Sequence, residues 1–193
     1  LAIASTFAVS NTNLVENGSF EADEISERSG TWQLYNELSN WSSSESVYFE
    51  VQTNLLKEMT AQDGDQYLEL NSTKNYRISQ KITTTPGKTY EFSLYYSARV
   101  NGAQGTNNIE VYWNGRLLEA LNSSQKGWTK YTYTIEATGT KSEIAIAGAG
   151  AANGYGGLVD NISVIEVTNP TTNLVQNGSF EVDRVASADG RYQ

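Results

Sequence analysis

The chain has no histidine and no cysteine among its 193 residues, and it has only two prolines and one methionine. The first two absences exclude Ser-His-Asp and Cys-His catalysis, thiolate metal sites, the usual zinc sites and disulfides. Basic residues are also few: 13 Lys+Arg stand against 22 Asp+Glu, and the formal net charge is −9. Such a chain repels phosphate, so nucleic acid and anionic membranes are poor partners, whereas divalent cations are good ones. No apolar run is long enough for membrane insertion.

The most distinctive feature that the sequence does contain is a repeat. The segment NLVENGSFE at 13–21 returns as NLVQNGSFE at 173–181, an offset of 160 positions (173 − 13 = 160). A fixed offset without gaps indicates one unit of roughly 160 residues followed by the start of another. The sequence therefore predicts a lead-in strand over 1–12, a domain over 13–168, a linker over 169–172 and a truncated second repeat over 173–193.

The lead-in segment LAIASTFAVS alternates large apolar residues with small ones, as a strand with one apolar edge does. It has three interpretations. It is the last strand of a preceding unit, a strand donated to a neighbouring copy, or the remnant of a leader peptide. The first two make adjacent repeats or neighbouring copies of the chain its partners.

Between the two copies of the repeat, short alternating segments recur without any long helical period. This pattern predicts an all-β sandwich or barrel. Asn114-Gly115 and Pro86-Gly87 are predicted turns, and a short strand is expected around Trp32. The predicted strands are Val47–Gln52, Gln66–Asn71, Tyr76–Thr83, Thr89–Arg99, Asn108–Trp113, Trp128–Ala137, Ser142–Gly148 and Leu158–Val167.

The alternation also divides each strand into an inward and an outward face. Aromatic and charged side chains share the outward positions, which suits a sugar, because rings stack on its C–H faces and charged groups bind its hydroxyls. The alternative is an ordinary solvated face that cross-strand pairs stabilise. The outward residues that we predict to bind ligand are Tyr48, Glu50, Arg77, Tyr95, Arg99, Glu110 and Tyr112.

Four segments in order, NLVENGSFE, DGDQYLELN, ISQKITTTPGKTYEFSLYYSAR and GGLVDNISV, resemble the galactose-binding-domain-like jelly-roll modules. This is the fold of many bacterial carbohydrate-binding modules. The resemblance implies a jelly-roll β-sandwich of two antiparallel sheets that binds sugar on a sheet face or at the end loops. It also implies a structural calcium ion held by Glu21 and Asp160, with Asn17 or Gly18 as backbone donors.

Calcium takes six to eight hard oxygen ligands, and carboxylates from loops supply them well. Two alternatives stay open at these positions. Glu21 caps a turn or pairs with a lysine instead, and Asp63 and Asp65 are either further ligands or turn residues.

The loops supply further candidates for sugar binding, namely Trp32, Trp41, Asn75, Tyr76 and Tyr155. Tyr155 lies in the glycine-rich run GAGAANGYGG, which lacks the lysine and the strand-to-helix context of a phosphate-binding loop. The run is expected to let the backbone approach another group closely. Trp41 and Trp128 are predicted primarily as core residues.

These features predict a non-catalytic, extracellular carbohydrate-binding module of a repetitive surface or secreted protein, closed by calcium. Glu50 and Glu110 are eligible for two-carboxylate hydrolysis of glycosides, but no spacing marks them as a pair. The alternative function is a structural repeat of an extracellular fibre or surface array. Such a repeat would be assembled by strand addition between neighbours, without sugar binding.

Overall fold

The computed structural model describes residues 12–25, 30–43, 46–99 and 105–167. The predictions for the lead-in strand, the linker and the second repeat fall on residues 1–11 and 168–193, outside these ranges. The strands are β1 Trp32–Tyr35, β2 Phe49–Thr53, β3 Gln66–Glu69, β4 Arg77–Thr83, β5 Thr89–Ser97, β6 Ile109–Trp113, β7 Arg116–Leu121, β8 Thr129–Glu136, β9 Lys141–Gly148 and β10 Leu158–Val167. One short 3-10 helix, Asn54–Leu56, follows β2. Across the described ranges, no helix has the length and apolar character that crossing a membrane requires.

The strands form two sheets that enclose the core. Six strands pair in the order β1-β2-β3-β10-β5-β8, and four pair in the order β4-β9-β6-β7. Every pairing between these strands is antiparallel. The predicted sandwich of two antiparallel sheets is therefore confirmed.

The predicted alternation places the core residues correctly. In β5, Tyr90, Phe92, Leu94 and Tyr96 are all buried in the main apolar cluster. Trp41 joins the same cluster, as predicted, whereas Trp128 packs against Tyr67 in a smaller one with ring centroids 5.8 Å apart. Tyr76, a loop candidate for sugar binding, is only 2% exposed and belongs to the main core, so that prediction was wrong.

One strand, β7, was not predicted. Asn114 and Gly115 have φ angles of 49° and 75°, as a tight hairpin turn requires, and β6 pairs with β7 across it. The adjacent pair Leu117-Leu118 interrupts the alternation of β7, and a register shift follows Val111 in its partner strand. The turn was therefore recognisable in the sequence, but the strand after it was not.

The last strand, β10, carries a bulge between Asp160 and Ser163, where Asn161 has a positive φ of 47°. At this bulge the backbone N–H of Ile162 donates to the carbonyl of Gly18 over 2.9 Å. A Cβ atom on Gly18 would lie 2.1 Å from the carbonyl oxygen of Ile162, so a residue larger than glycine cannot approach this strand so closely.

The rest of the NLVENGSFE segment, which we call the closing motif (13–21), also binds β10. The Asn13 side chain accepts from the N–H of Val164 over 2.9 Å, and the N–H of Leu14 donates to the Val164 carbonyl over 2.9 Å. Phe20 at the other end of the motif is fully buried in the core. The first repeat motif therefore closes the domain by binding its last strand.

We predict that Gly18→Ala lowers the free energy of unfolding by about 2–3 kcal/mol, because the added Cβ forces the closing motif off β10. Urea titration would measure the loss. Gly139→Ala is the matched control, since a Cβ there meets no atom nearer than 3.5 Å. Equal stability of the two variants would show that the close approach at the bulge is dispensable.

Candidate functional site

Asp160 lies at the bulge of β10 with no exposed surface and binds the loop over 62–66. Its Oδ2 atom accepts from the N–H groups of Gln62 (2.6 Å) and Asp63 (3.1 Å), and its Oδ1 atom accepts from the N–H of Asn161 (2.6 Å). Burial raises the pKa of Asp160 to about 7, against the effect of the three N–H donors and with a further increase from Asp63. The charged form of this carboxyl is therefore held at a cost.

Glu21, at the end of the closing motif, binds the other half of the same loop. Its Oε1 atom accepts from the N–H groups of Asp65 (2.8 Å) and Gln66 (2.6 Å). Glu21 and Asp160 thus hold one five-residue loop from two sides. Of the alternatives open for Glu21, these contacts are those of a carboxylate that caps a turn.

The same surroundings fit calcium in charge, but the oxygen atoms that would bind it also accept hydrogen bonds from the protein. A cation would compensate the buried carboxylate of Asp160, but amide hydrogens occupy both of its oxygens. The carbonyl of Asn17 accepts from the indole of Trp41 at 2.9 Å, and that of Gly18 accepts from Ile162, which gives the two expected backbone donors structural roles. Within the part of the chain that the structure describes, no three acidic side chains are grouped to hold a metal.

A second group of carboxylates lies on the outer face of the six-stranded sheet. Glu50 and Glu69 are register partners in β2 and β3, and Arg99 follows β5. The Arg99 guanidinium forms an ion pair with Glu69 and lies 3.8 Å from Oε1 of Glu50. The side-chain amide of Gln52 donates to both carboxylates. We call Glu50, Gln52, Glu69 and Arg99 the polar cluster.

The polar cluster is buried, and burial changes its titration. Glu69 and Gln52 have no exposed surface, and the Glu50 side chain is only 12% exposed. Burial raises the pKa of Glu69 to about 9, and the neighbouring carboxylate of Glu50 adds to the rise, while Arg99 opposes it. A buried carboxyl pair of this kind is a common feature of functional sites.

The glycine-rich segment 148–157 covers one side of the polar cluster. The N–H of Gly156 donates to Glu69 over 2.7 Å, and a Cβ on Gly156 would lie 2.6 Å from that of Asn71. The expected close approach of this backbone is therefore seen. Tyr155 lies over the guanidinium of Arg99 at 4.7 Å from the ring centroid and is 40% exposed.

The seven outward residues that we predicted to bind ligand do not share one surface. Glu50, Arg99 and Tyr95 belong to the six-stranded sheet, with Tyr48 just before β2, whereas Arg77, Glu110 and Tyr112 lie on the outer face of the four-stranded sheet. Alternation shows which side chains point away from the core, but it does not show to which sheet a strand belongs. The outer faces of two packed sheets point in opposite directions.

On the six-stranded sheet, Tyr48 and Tyr155 are brought to neighbouring backbone segments. The Ser72 hydroxyl donates to the carbonyl of Tyr48 over 2.5 Å, and a Cβ on Gly154 would lie 3.2 Å from the Ser72 carbonyl. Tyr48 is 48% exposed. Tyr95 is further along the same face, opposite Lys130 of β8. The two exposed rings and the polar cluster form what we call the tyrosine face.

On the four-stranded sheet, Arg77 bonds Glu143 at 2.8 Å and lies 5.6 Å from the ring centroid of Tyr112. The hydroxyl of Tyr112 donates to Glu110. Arg77 and Glu143 border a polar groove of about 790 Å³ beside β4. The Arg77 and Glu143 side chains are 36% and 28% exposed, which is typical of a surface ion pair that contributes little to stability.

Sequence reasoning missed Glu69 and Gln52, the two most deeply buried members of the polar cluster. The signal was present, because the alternation in QYLELN puts Glu69 on the face opposite Leu68 and Leu70. A glutamate between apolar residues in a strand is seldom buried without a partner, and the partner of Glu69 is Arg99.

A protein-family model described as "Protein of unknown function (DUF642)" matches residues 13–165. A multifunctional-autoprocessing repeats-in-toxin of Vibrio vulnificus is 24% identical over 84% of this chain and 3% of its own length. Halomucin of Haloquadratum walsbyi is 26% identical over 88% of this chain and 2% of its own length. The chain therefore spans only a small part of these curated relatives.

Solved structures with a similar fold include two carbohydrate-binding modules. A family 16 module has a TM-score of 0.55 at 18% identity, over 80% of this chain and all (100%) of the module. A family 61 module in complex with β-1,4-galactotriose has a TM-score of 0.51 at 14% identity, over 81% of this chain and 100% of the module. At such identities the likeness shows the fold alone, and it confirms the resemblance to jelly-roll modules.

We predict that stability falls as pH rises from about 7 to 9, because folded Glu69 retains a proton that the unfolded chain has already lost. A carboxyl whose pKa is raised in the folded state contributes its full stabilisation at pH values below its pKa in the unfolded chain. This contribution is lost as the pH rises to the pKa of the folded state. The slope is at most about 1.4 kcal/mol per pH unit. The pH range from about 7 to 9 lies above the range in which titration of Asp160 changes stability, because the raised pKa of Asp160 is about 7.

Urea titrations across this range would measure the slope, and Glu69→Gln is expected to flatten it. Glu110→Gln, on the other sheet, is the control and should leave it unchanged. An unaltered slope in Glu69→Gln would contradict the assignment to this residue.

Proposed function

The chain belongs to the DUF642 family, whose model covers residues 13–165, and we propose that it is a non-catalytic module that binds carbohydrate on its tyrosine face. The observation that carries the proposal is the combination on one sheet of two exposed rings, Tyr48 and Tyr155, with buried hydrogen-bonding groups behind them. Rings stack on the apolar faces of a sugar, and the charged groups bind its hydroxyls. The fold shared with two carbohydrate-binding modules supports the same function.

The arrangement of carboxylates favours binding over catalysis. Glu50 and Glu110, the pair eligible for glycoside hydrolysis, lie on different sheets. Glu50 and Glu69 are neighbours, but both bond Gln52, and Glu69 has no exposed surface. Two carboxyl groups that cleave a glycosidic bond must stand on either side of it. Neither carboxylate of the polar cluster has the exposure for that.

The place of action that we propose is outside the cell, in a repetitive surface or secreted protein. The names of the relatives, a repeats-in-toxin and a halomucin, support this, as does the second NLVQNGSFE motif in the sequence. The acidic composition, with a net charge of −9, agrees with a module that meets neither nucleic acid nor membrane surfaces.

We predict that Tyr155→Ala weakens binding of a neutral oligosaccharide three- to tenfold, which is about the effect of losing one stacked ring. A glycan array that includes β-1,4-galactotriose would identify the ligand, and calorimetric titration would measure its affinity. Tyr112→Ala removes a ring from the opposite sheet and should leave affinity unchanged. If no glycan is bound, the structural-repeat function takes the place of this one; if Tyr112→Ala is the weaker variant, the sugar site is on the other sheet.

Calcium at the closing motif remains part of the proposal, with Glu21 and Asp160 as the residues that would hold it. Its support is the buried carboxyl of Asp160, which accepts from three backbone N–H groups but takes part in none of the described ion pairs. Calcium would supply a positive charge there and join the last strand to the loop over 62–66.

We predict that calcium raises the midpoint of thermal unfolding relative to excess chelator, because an ion bound only by the folded state stabilises it. Glu21→Gln and Asp160→Asn should abolish the difference while Glu110→Gln preserves it. If chelator has no effect and the first two variants are simply less stable, the carboxylates act through the loop amides alone.

A further inference from the structure

When both of its carboxyl groups are ionised, the polar cluster contains more negative than positive charge, and the proton on Glu69 removes the excess. Two carboxylates, Glu50 and Glu69, share one guanidinium, that of Arg99. Among the residues that the structure describes, no other lysine or arginine forms an ion pair with either carboxylate. Burial makes such an imbalance unfavourable, because a carboxylate out of water needs a compensating charge. Arg99 alone cannot supply it for both.

The hydrogen bonds of the cluster are also incomplete. Gln52 is fully buried and donates its side-chain N–H groups to Glu50 and Glu69, but its Oε1 atom has no partner. The Nε atom of Arg99 is likewise buried and unpartnered. An unsatisfied buried polar atom destabilises the fold, so a ligand that satisfies these atoms binds more tightly than one that does not. The cluster lacks one donor at Gln52 and one acceptor at Arg99.

The cluster meets solvent beside the exposed tyrosines. The Glu50 and Arg99 side chains retain 12% and 14% of their exposure, and Tyr155 stacks directly on Arg99. Side chains with so little exposed surface can contact a projecting substituent but not a whole sugar ring. The ring itself would stay outside, against Tyr155 and Tyr48.

The chemistry of the missing partner follows from these counts. The substituent must carry a positive charge that balances the second carboxylate. It must also have N–H groups that donate to Oε1 of Gln52, and a hydroxyl next to it must accept from Nε of Arg99. A protonated amine next to a hydroxyl on a sugar ring has all three properties. A carboxylated sugar would place a third negative charge beside Glu50 and Glu69.

We propose that the tyrosine face selects amino sugars with a free, protonated amine, bound through Glu50 and Gln52 of the polar cluster. This inference rests on the proposed carbohydrate-binding function and specifies its ligand. The raised pKa of Glu69 agrees with it, because a cluster that retains a proton at neutral pH has a place for one more positive charge. An ammonium group would take over that role and release the proton.

The test is calorimetric titration at about pH 6, where a sugar amine is largely protonated, with three hexamers as probes: glucosamine, N-acetylglucosamine and galacturonate. We expect glucosamine to bind at least tenfold more tightly than the acetylated hexamer, and galacturonate to bind weakest. Repeating the titration in buffers of different ionisation enthalpy should reveal proton release. Because the acidic chain attracts any polycation, two variants are needed to distinguish specific binding from general charge attraction.

Glu50→Gln removes one carboxylate from the tyrosine face, and Glu110→Gln removes the same charge from the opposite sheet. The first should abolish the preference for glucosamine, and the second should preserve it. Equal effects of the two variants would reduce the preference to general charge attraction and overturn the inference. Equal binding of the acetylated hexamer would also overturn it, but would leave carbohydrate binding intact. Absence of binding to these hexamers and to the glycan array would instead refute the proposed function.

Discussion

The bulge in β10 is the constraint on which the rest of the domain depends. It turns the backbone of Ile162 toward Gly18 and the side chain of Asp160 toward the loop over 62–66. Three segments that are distant in sequence therefore meet at one irregularity in one strand. The closing motif has little freedom to vary at this point, because it must approach β10 without a Cβ at Gly18. The motif is thus a packing requirement of the fold, whether or not an ion is bound beside it.

The two outer faces of the sandwich differ in how they treat charge. The ion pair of Arg77 and Glu143 is partly solvated and can be formed or lost at little cost. The polar cluster is buried, so each of its charges must be compensated within a few ångströms. Apolar residues of similar volume in place of a buried ion pair are often neutral or stabilising, so stability alone does not require this cluster. Buried and incompletely satisfied polar groups are therefore more informative about function than the groove beside β4.

The sequence was sufficient for every described strand except β7, and for the face that the residues of the predicted strands occupy. Tyr90 to Tyr96 alternate as predicted because period-two patterning follows directly from strand geometry. Strand partners are decided by long-range packing, and for this reason Arg77 and Arg99 appeared to share a surface. The sequence also did not show that Glu69 lies opposite Glu50, because the register between β2 and β3 is a property of the folded sheet. The resemblance to a known fold named Glu21 and Asp160, but only the structure shows that loop amides donate to Oε1 of Glu21 and to Oδ2 of Asp160.

The hydrogen bonds that Asn13 and Leu14 form with Val164 have a mechanical consequence. They place the point where the chain enters the domain beside the point where it leaves. In a longer polypeptide, tension along the chain would act first on the few bonds between the closing motif and β10, and would open them one after another rather than together. While the domain is folded, its two ends lie side by side, so the length of the polypeptide would depend on the linkers more than on the diameter of the domain. Each domain could then act as an extensible element that lengthens the molecule when the motif detaches.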